Sequence, residues 1–306
     1  MKPAPFAYVR PPTVEDTLAE LAAAEQSKIL AGGQSLVPVL AMRLARPGVL
    51  VDINAVAGLD SVRTHDGTLR VGATVRQRAL EAHQAGARVP LLGRVLPWVG
   101  HRELRSRGTV CGSLAHADPA AELPAVASCL DATLEVAGPN GQRRLPARGF
   151  FTGAMTTQLR PEEMLLSVDL PEARAGEGFG FAELARRHGD FAVAGVVVRV
   201  DAPAGDHPEH PRADLTCFGV SDSPAWRDVS EFLRAALADI GDDAPEAELA
   251  AALGESATAV ADDVVHTDDA HGSSAYRKRV VAALFARELA RAYAGARRTA
   301  SEVTDR

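Results

Sequence analysis

The chain is short of the residues on which metal centres and stapled folds rely. Its 306 residues include three cysteines, Cys111, Cys129 and Cys217. Being odd in number and widely spaced, they form neither a disulfide framework nor a paired cluster motif, so any metal chemistry has to come from a partner. No apolar run reaches the roughly 18 residues that a membrane span needs. The opening stretch, Met1 to Pro12, has neither an apolar core nor a small-residue cleavage site, and a cytoplasmic protein without a membrane span is expected. Positive charge is in deficit: 33 Lys plus Arg against 40 Asp plus Glu leave a formal charge of −7, which argues against a nucleic-acid surface built on phosphate neutralisation. What is present is ordinary for a folded protein, with 46% hydrophobic and 24% charged residues. At about 150 residues per domain, the length suggests two folded units.

Thr13 to Asp16 resembles a capping box ahead of Leu18 and Leu21, which predicts a short amphipathic helix. Ser27 to Ala31 reads as a strand that runs into Gly32 and Gly33, and Leu36 to Leu44 as the helix that follows. Val49 to Ile53 is a second buried strand. Asp66-Gly67 lies between two strand-like runs, Ser61 to His65 and Thr68 to Gly72, a strong hairpin signal. Thr74 to Gln77 looks like another capping box, with Gly86 as the helix stop, and residues 90–100 read as helical. Between Ser106 and Pro124 periodicity vanishes into a long polar, glycine-containing loop, where sites commonly lie. A hairpin (Ala132 to Ala137 with Gln142 to Pro146) and a strand (Leu165 to Leu170) complete the first unit. The boundary falls in the charged segment Glu172 to Gly178. Strands at Gly180 to Leu184, Ala192 to Val200 and Leu215 to Val220, then helices at 227–239, 245–262 and 273–294, predict an α+β second unit. The polar stretch Ala202 to Arg212 reads as a solvated hairpin tip.

Three segments have the composition of a binding site. In Ala31, Gly32, Gly33, Gln34, Ser35 and Leu36, two glycines after a strand leave backbone N–H groups open to a phosphate or diphosphate. The stretch is neither a Walker loop nor GxGxxG, and a plain strand-to-helix turn is equally compatible. Thr109, Val110, Cys111, Gly112 and Ser113 offer the same ingredients again, followed by His116, Asp118 and Glu122, so two such loops could hold a diphosphate between them. His116 with Asp118 also admits a metal reading, but two ligands are too few. Cys111, or Ser113 with His116 as base, admits a nucleophile reading, without a recognisable elbow. The third segment, Ala185 to Ala192, is either a charged turn with Phe191 as a core residue or a surface for a partner or ligand phosphate.

These motifs, together with Leu159 to Glu163, occur in an order and at distances that resemble the FAD-binding medium subunit of the molybdenum hydroxylases, the carbon monoxide and xanthine dehydrogenase family, over residues 3–292. The resemblance implies an α+β chain. An FAD-binding fold of the PCMH type (1–175) with two α/β subdomains, about 1–55 and 56–175, would precede a smaller C-terminal domain of antiparallel sheet plus helices (178–292), with 293–306 a disordered tail. It implies non-covalent FAD, with both glycine loops around the diphosphate. Glu122 would occupy the position of an acid that hydrogen-bonds the cofactor, Leu159 would lie against the flavin, and His101, His116 and Asp118 would lie in regions used near FAD. Phe191 would sit beside the isoalloxazine ring with Asp190 next to it. Iron–sulfur clusters and the molybdenum cofactor would reside on partners, a small two-iron two-sulfur subunit and a large molybdenum subunit, in a dimer of heterotrimers.

Two positions depart from the family pattern. Cys111 stands where many relatives have glycine, and it would cost about 1–2 kcal/mol if the backbone there has positive φ. Glu183 stands where many carry a lysine near the flavin. The function implied is an electron-transfer flavoprotein subunit. A self-contained flavin oxidase of the same fold is the alternative, although the residues after Gly178 are few for a substrate domain. A scaffold that has lost FAD is disfavoured by the intact loops.

Overall fold

The computed structural model describes residues 2–24, 26–202 and 211–304. The chain begins with β1 (Ala7–Val9), α1 (Val14–Ala23), β2 (Ser27–Leu30), α2 (Leu36–Ala41) and β3 (Val49–Asp52), which form a parallel sheet of order β1-β3-β2. Thr13 caps α1 by accepting the Asp16 N–H at 3.0 Å, as its sequence predicts.

Next come β4 (Val62–His65) and β5 (Thr68–Gly72), joined by Asp66 and Gly67 at φ +48° and +70°. Those angles are the ones a tight hairpin turn requires. Five short helices follow: α3 (Gln77–Glu81), α4 (Pro90–Val95), α5 (Arg102–Arg105), α6 (Val110–His116) and α7 (Glu122–Cys129). Then come β6 (Thr133–Gly138), β7 (Gly141–Pro146), the small ribbon β8 (Phe151–Gly153) with β9 (Thr156–Thr157), and β10 (Met164–Pro171). The second sheet has the order β4-β5-β10-β6-β7 and is antiparallel throughout, so this subdomain is not the α/β unit expected.

The third sheet, β11 (Glu177–Ala185), β12 (Ala192–Asp201), β13 (Arg212–Phe218) and β14 (Ala225–Asp228), is an antiparallel meander. Helices α8 (Ser230–Ile240), α9 (Glu246–Ala252), α10 (Gly254–Val264) and α11 (Ser274–Thr304) follow it. Both faces of this sheet are covered. Phe179, Phe181, Val197 and Phe218 join the core of the first 170 or so residues, whereas Ala194, Val196, Val198 and Val200 join a second core under α8 to α11. Strands buried on both faces lose the alternation of a half-exposed sheet, hence the unbroken apolar run Ala192 to Val198.

Several expectations need correction. The aperiodic segment 106–124 is no open loop: it contains α6 and the start of α7. Thr74 caps nothing; α3 begins at Gln77 and ends at Glu81, short of Gly86. Residues 225–228 form β14, where Trp226 lies under the Arg148 guanidinium at 4.0 Å, so the helix expected from 227 starts at Ser230. The expected disordered tail is helical through Thr304. Tyr293 and Ala296 continue the buried stripe of α11, and the Thr299 hydroxyl donates to the Glu177 carbonyl and accepts the Gly176 N–H. The polar tip expected at 202–212 falls largely on 203–210, outside the described residues.

Candidate functional site

The first glycine loop leaves β2 where the ladder with β3 ends, at the Leu30/Asp52 pair. The first helical N–H is that of Val37, donating to the Gly33 carbonyl at 3.0 Å, so the intervening amides precede the hydrogen-bonded helix. Gly33 has φ +74°, a left-handed conformation that glycine adopts without the steric penalty of a Cβ. Gly32 is required for a different reason. A Cβ there would lie 2.3 Å from the Arg107 carbonyl oxygen and 2.7 Å from Gly108 Cα. The two loops therefore touch backbone to backbone, and Ala31 lies against Gly112 at the next point of approach.

In the second loop Thr109 is the N-cap of α6, its hydroxyl accepting the Gly112 N–H at 3.0 Å. Val110 N–H goes to the Val75 carbonyl and Ser113 N–H to that of Thr109. What this loop can still offer a ligand is the Cys111 N–H, which has no acceptor among the described residues, and the half-buried Ser113 hydroxyl. Cys111 itself is helical rather than left-handed, so the expected strain is absent. Its thiol points into the core toward the Val71 carbonyl, and burial pushes it up to about 12, which removes Cys111 from the nucleophile reading. Val110 is buried as well, and its N–H is already taken by the Val75 carbonyl.

A clamp that joins the loops has no counterpart in the sequence reading. Asn54 donates from Nδ2 to the Ala31 carbonyl at 2.8 Å and accepts Arg76 Nη2 at 2.6 Å, while Arg76 Nη1 donates to the Arg107 carbonyl. One guanidinium thus fixes the spacing of both loops. Burial draws its basicity below that of an ordinary arginine, and the neighbouring Arg107 adds to the shift. A lone Asn after a strand and a lone Arg before a helix give no motif, so only the tertiary structure reveals them.

Downstream of α6, Ala117 adopts a left-handed C-cap at φ +53°, and its carbonyl accepts the Met155 N–H. Asp118 accepts the Ala120 N–H at 2.9 Å and so holds the turn into α7. His116 is half-buried, and burial lowers its pKa, Asp118 opposing this and Lys28 adding to it. Glu122 opens α7 at 7% exposure, and burial raises its carboxyl to about 7, with Asp118 adding to the rise. Leu159 packs half-buried on the first core. Beside it, Arg143 pairs with Glu163 and donates to the Gln158 carbonyl.

The turn between β11 and β12 approaches from the C-terminal unit. A Cβ on Gly189 would lie 2.7 Å from the His101 ring, and the His188 and Trp98 rings are 4.9 Å apart. His101 is therefore brought against the turn that carries Asp190 and Phe191, at the opposite end of α5 from Arg107. Asp190 is exposed and Phe191 is 72% exposed, so Phe191 is no core residue. Glu183, earlier on β11, was singled out only for its departure from the family pattern. Its carboxyl oxygens are sealed from solvent with no hydrogen-bond partner, and burial followed by the charge of Glu122 raises it to about 8.

Residues 4–173 match the family described as the FAD binding domain in molybdopterin dehydrogenase. Over 98% of its length the chain is 36% identical to the 6-hydroxypseudooxynicotine dehydrogenase complex subunit alpha of Paenarthrobacter nicotinovorans, and it covers 98% of that protein. Over 97% of its length it is 31% identical to the carbon monoxide dehydrogenase medium chain of Afipia carboxidovorans, and it covers 100% of that chain. The structure of quinoline 2-oxidoreductase from Pseudomonas putida 86 superposes with a TM-score of 0.85 at 32% identity, over 97% of this chain and 99% of that one.

Proposed function

The chain belongs to the FAD-binding subunits of molybdenum-containing dehydrogenases, and from that premise we propose that it takes electrons from the iron–sulfur clusters of a partner and passes them to an external acceptor. The observation that carries the reading is the edge-to-edge meeting of two glycine loops whose spacing the Asn54–Arg76 clamp sets. The residues fit the cofactor. Gly32 to Ser35 present amides outside any ladder, and the second loop adds the Cys111 N–H and the Ser113 hydroxyl, a donor set suited to a diphosphate.

Glu122 and Leu159 would lie beyond the diphosphate, and His101, Asp190 and Phe191 at the isoalloxazine end. When bound, FAD supplies the two-electron chemistry, and the protein's share is binding, orientation and electrostatics. Phe191 and Asp190, exposed on the β11–β12 turn, would form the surface through which electrons enter. Partners of the two classes expected, a two-iron two-sulfur subunit and a molybdenum subunit, would complete the enzyme as a dimer of heterotrimers in the cytoplasm.

Substrate hydroxylation requires an activated metal-bound oxygen, and among the described residues no three His, Cys, Asp or Glu side chains converge on a metal position. The isolated FAD-loaded chain, mixed anaerobically with N-heterocycles or aldehydes, is expected to keep its flavin oxidised. Bleaching by substrate with this chain alone would replace the subunit reading with a self-contained oxidase.

A further inference from the structure

The turn that carries Phe191 is held at both ends, and the hold at its far end comes from a buried arginine of the C-terminal helix. Arg277, in the first turn of α11, is 2% exposed. Its Nε–H donates to the Val193 carbonyl at 3.0 Å, Nη1 to the Thr267 carbonyl at 3.1 Å and Nη2 to Asp269 Oδ1 at 2.7 Å. Val193 is the residue that needs this bond. The β11–β12 ladder pairs Leu184 with Ala194 and Ala185 with Ala192, and the β12–β13 ladder begins at Gly195 with Phe218, so Val193 is an extra residue without a partner on either side. A bulge of this kind bends the strand and re-aims the side chains beside it. Val193 is buried, and a buried carbonyl outside a ladder has to find a donor elsewhere. Arg277 is that donor.

The partners of the guanidinium are themselves fixed. The His266 and Thr267 N–H groups both donate to the Val220 carbonyl, just beyond β13, and Asp269 accepts the His271 and Gly272 N–H groups at 2.8 and 3.1 Å. Gly219 packs on the same stretch of β12: at φ +73°, a Cβ on it would lie 2.9 Å from the Ala192 carbonyl oxygen and 3.1 Å from that of Val193. Its N–H donates to the Pro119 carbonyl of the first unit at 2.8 Å. The near end of the turn rests on the first unit too, through Gly189 against His101 and His188 against Trp98. Phe191 stands between these two holds, two residues before the bulge, and its exposure leaves little packing of its own to fix the ring. Planar peptides allow only two soft dihedrals per residue, so a shift of the Val193 backbone carries Phe191 with it.

We propose that Arg277 is a positioning residue for the flavin: by holding the Val193 bulge it sets where Phe191 stands, and so how far that ring covers the isoalloxazine. The inference rests on the reading above that Phe191 lies beside bound FAD. Arg277 acts only through the backbone of residues 191–193, and the Asp269 turn completes the device by fixing one arm of the guanidinium.

The test is a double-mutant cycle on the full chain loaded with FAD. Its readout is the rate at which reduced methyl viologen, giving one electron per molecule, reduces the flavin. Phe191→Ala should leave FAD bound and raise the rate at least about threefold, because the ring no longer covers the flavin. Arg277→Lys keeps the charge beside Asp269, but one ammonium has to serve three acceptors that the planar fork serves at once. It should raise the rate as well and, in the Phe191→Ala background, change nothing further. Asp269→Ala, at an exposed position, frees one arm of the guanidinium and should give a smaller rise that is likewise lost in that background. This second variant decides the matter should Arg277→Lys fail to fold. An arginine that is merely structural would lower the melting midpoint and leave the rate alone, or alter the rate equally with and without Phe191, and either result would overturn the positioning role. An unchanged rate in Phe191→Ala itself would overturn the placement of Phe191 beside the flavin, and the role of Arg277 with it.

Discussion

Gly33 and Gly112 occupy equivalent places in the two loops but resist substitution for different reasons. At Gly33 the backbone is left-handed, and an added Cβ meets only the movable ends of Val37 and Leu30, at 3.2 and 3.3 Å. At Gly112 the Cβ would lie 2.5 Å from the Thr109 hydroxyl that caps α6. Gly33→Val should therefore fold with about 1–2 kcal/mol of local strain while re-aiming the amides, weakening FAD by at least about tenfold, or about 1.4 kcal/mol. Gly112→Val should lose the cap, worth about 1 kcal/mol, as well as FAD affinity. Melting curves recorded beside FAD titrations separate the two effects, and near-normal flavin occupancy in both variants would mean that these loops do not hold the diphosphate. At this scale the sequence was informative about residue type and silent about direction. The glycines, Thr109 and Glu122 could be read from spacing and resemblance. That Cys111 turns inward, or that Asn54 and Arg76 tie the loops together, depends on contacts 22 or more residues apart.

Among the elements, α11 bears most on how the C-terminal unit holds together. Its last turns bury Tyr293 and Ala296 and tie Thr299 to β11, which in turn carries Glu183 and leads into the Phe191 turn. Truncation after residue 292 removes that contact. The loss should be about 3–5 kcal/mol from one large side chain and its hydrogen bonds, or roughly a 10 °C fall in melting midpoint. An unchanged midpoint would mean that the terminal turns do not stabilise the sheet. The regular elements were legible wherever one face is wet, as in α1 and the Asp66-Gly67 hairpin. They were missed where both faces are dry or the element is short. Helix α6 spans only Val110–His116 and is punctuated by Gly112, so its 3.6-residue period never develops. The last turns of α11 carry Arg297, Arg298, Thr299 and Ser301 among their small residues, a composition that reads as a solvated tail until β11 is placed beneath it.

For the whole molecule, the function proposed leaves substrate chemistry to the partner subunits. Among the described residues no three His, Cys, Asp or Glu side chains form a metal site and no helix is long and apolar enough to cross a membrane, and the three thiols are buried and each pushed up to about 12. What the molecule does offer is a clamped pair of glycine loops and an exposed aromatic turn on the C-terminal unit. Under the function proposed, these are the parts that would bind FAD between an electron donor and an acceptor. The most direct measurement is the flavin, iron and molybdenum content of the complex purified from its native host through a tag on this chain, with acid precipitation to free the flavin. FAD is expected in the supernatant in equal amount to the chain, together with iron and molybdenum on co-purifying subunits. FMN, flavin retained in the pellet, or FAD on a chain that purifies without iron and molybdenum would contradict it.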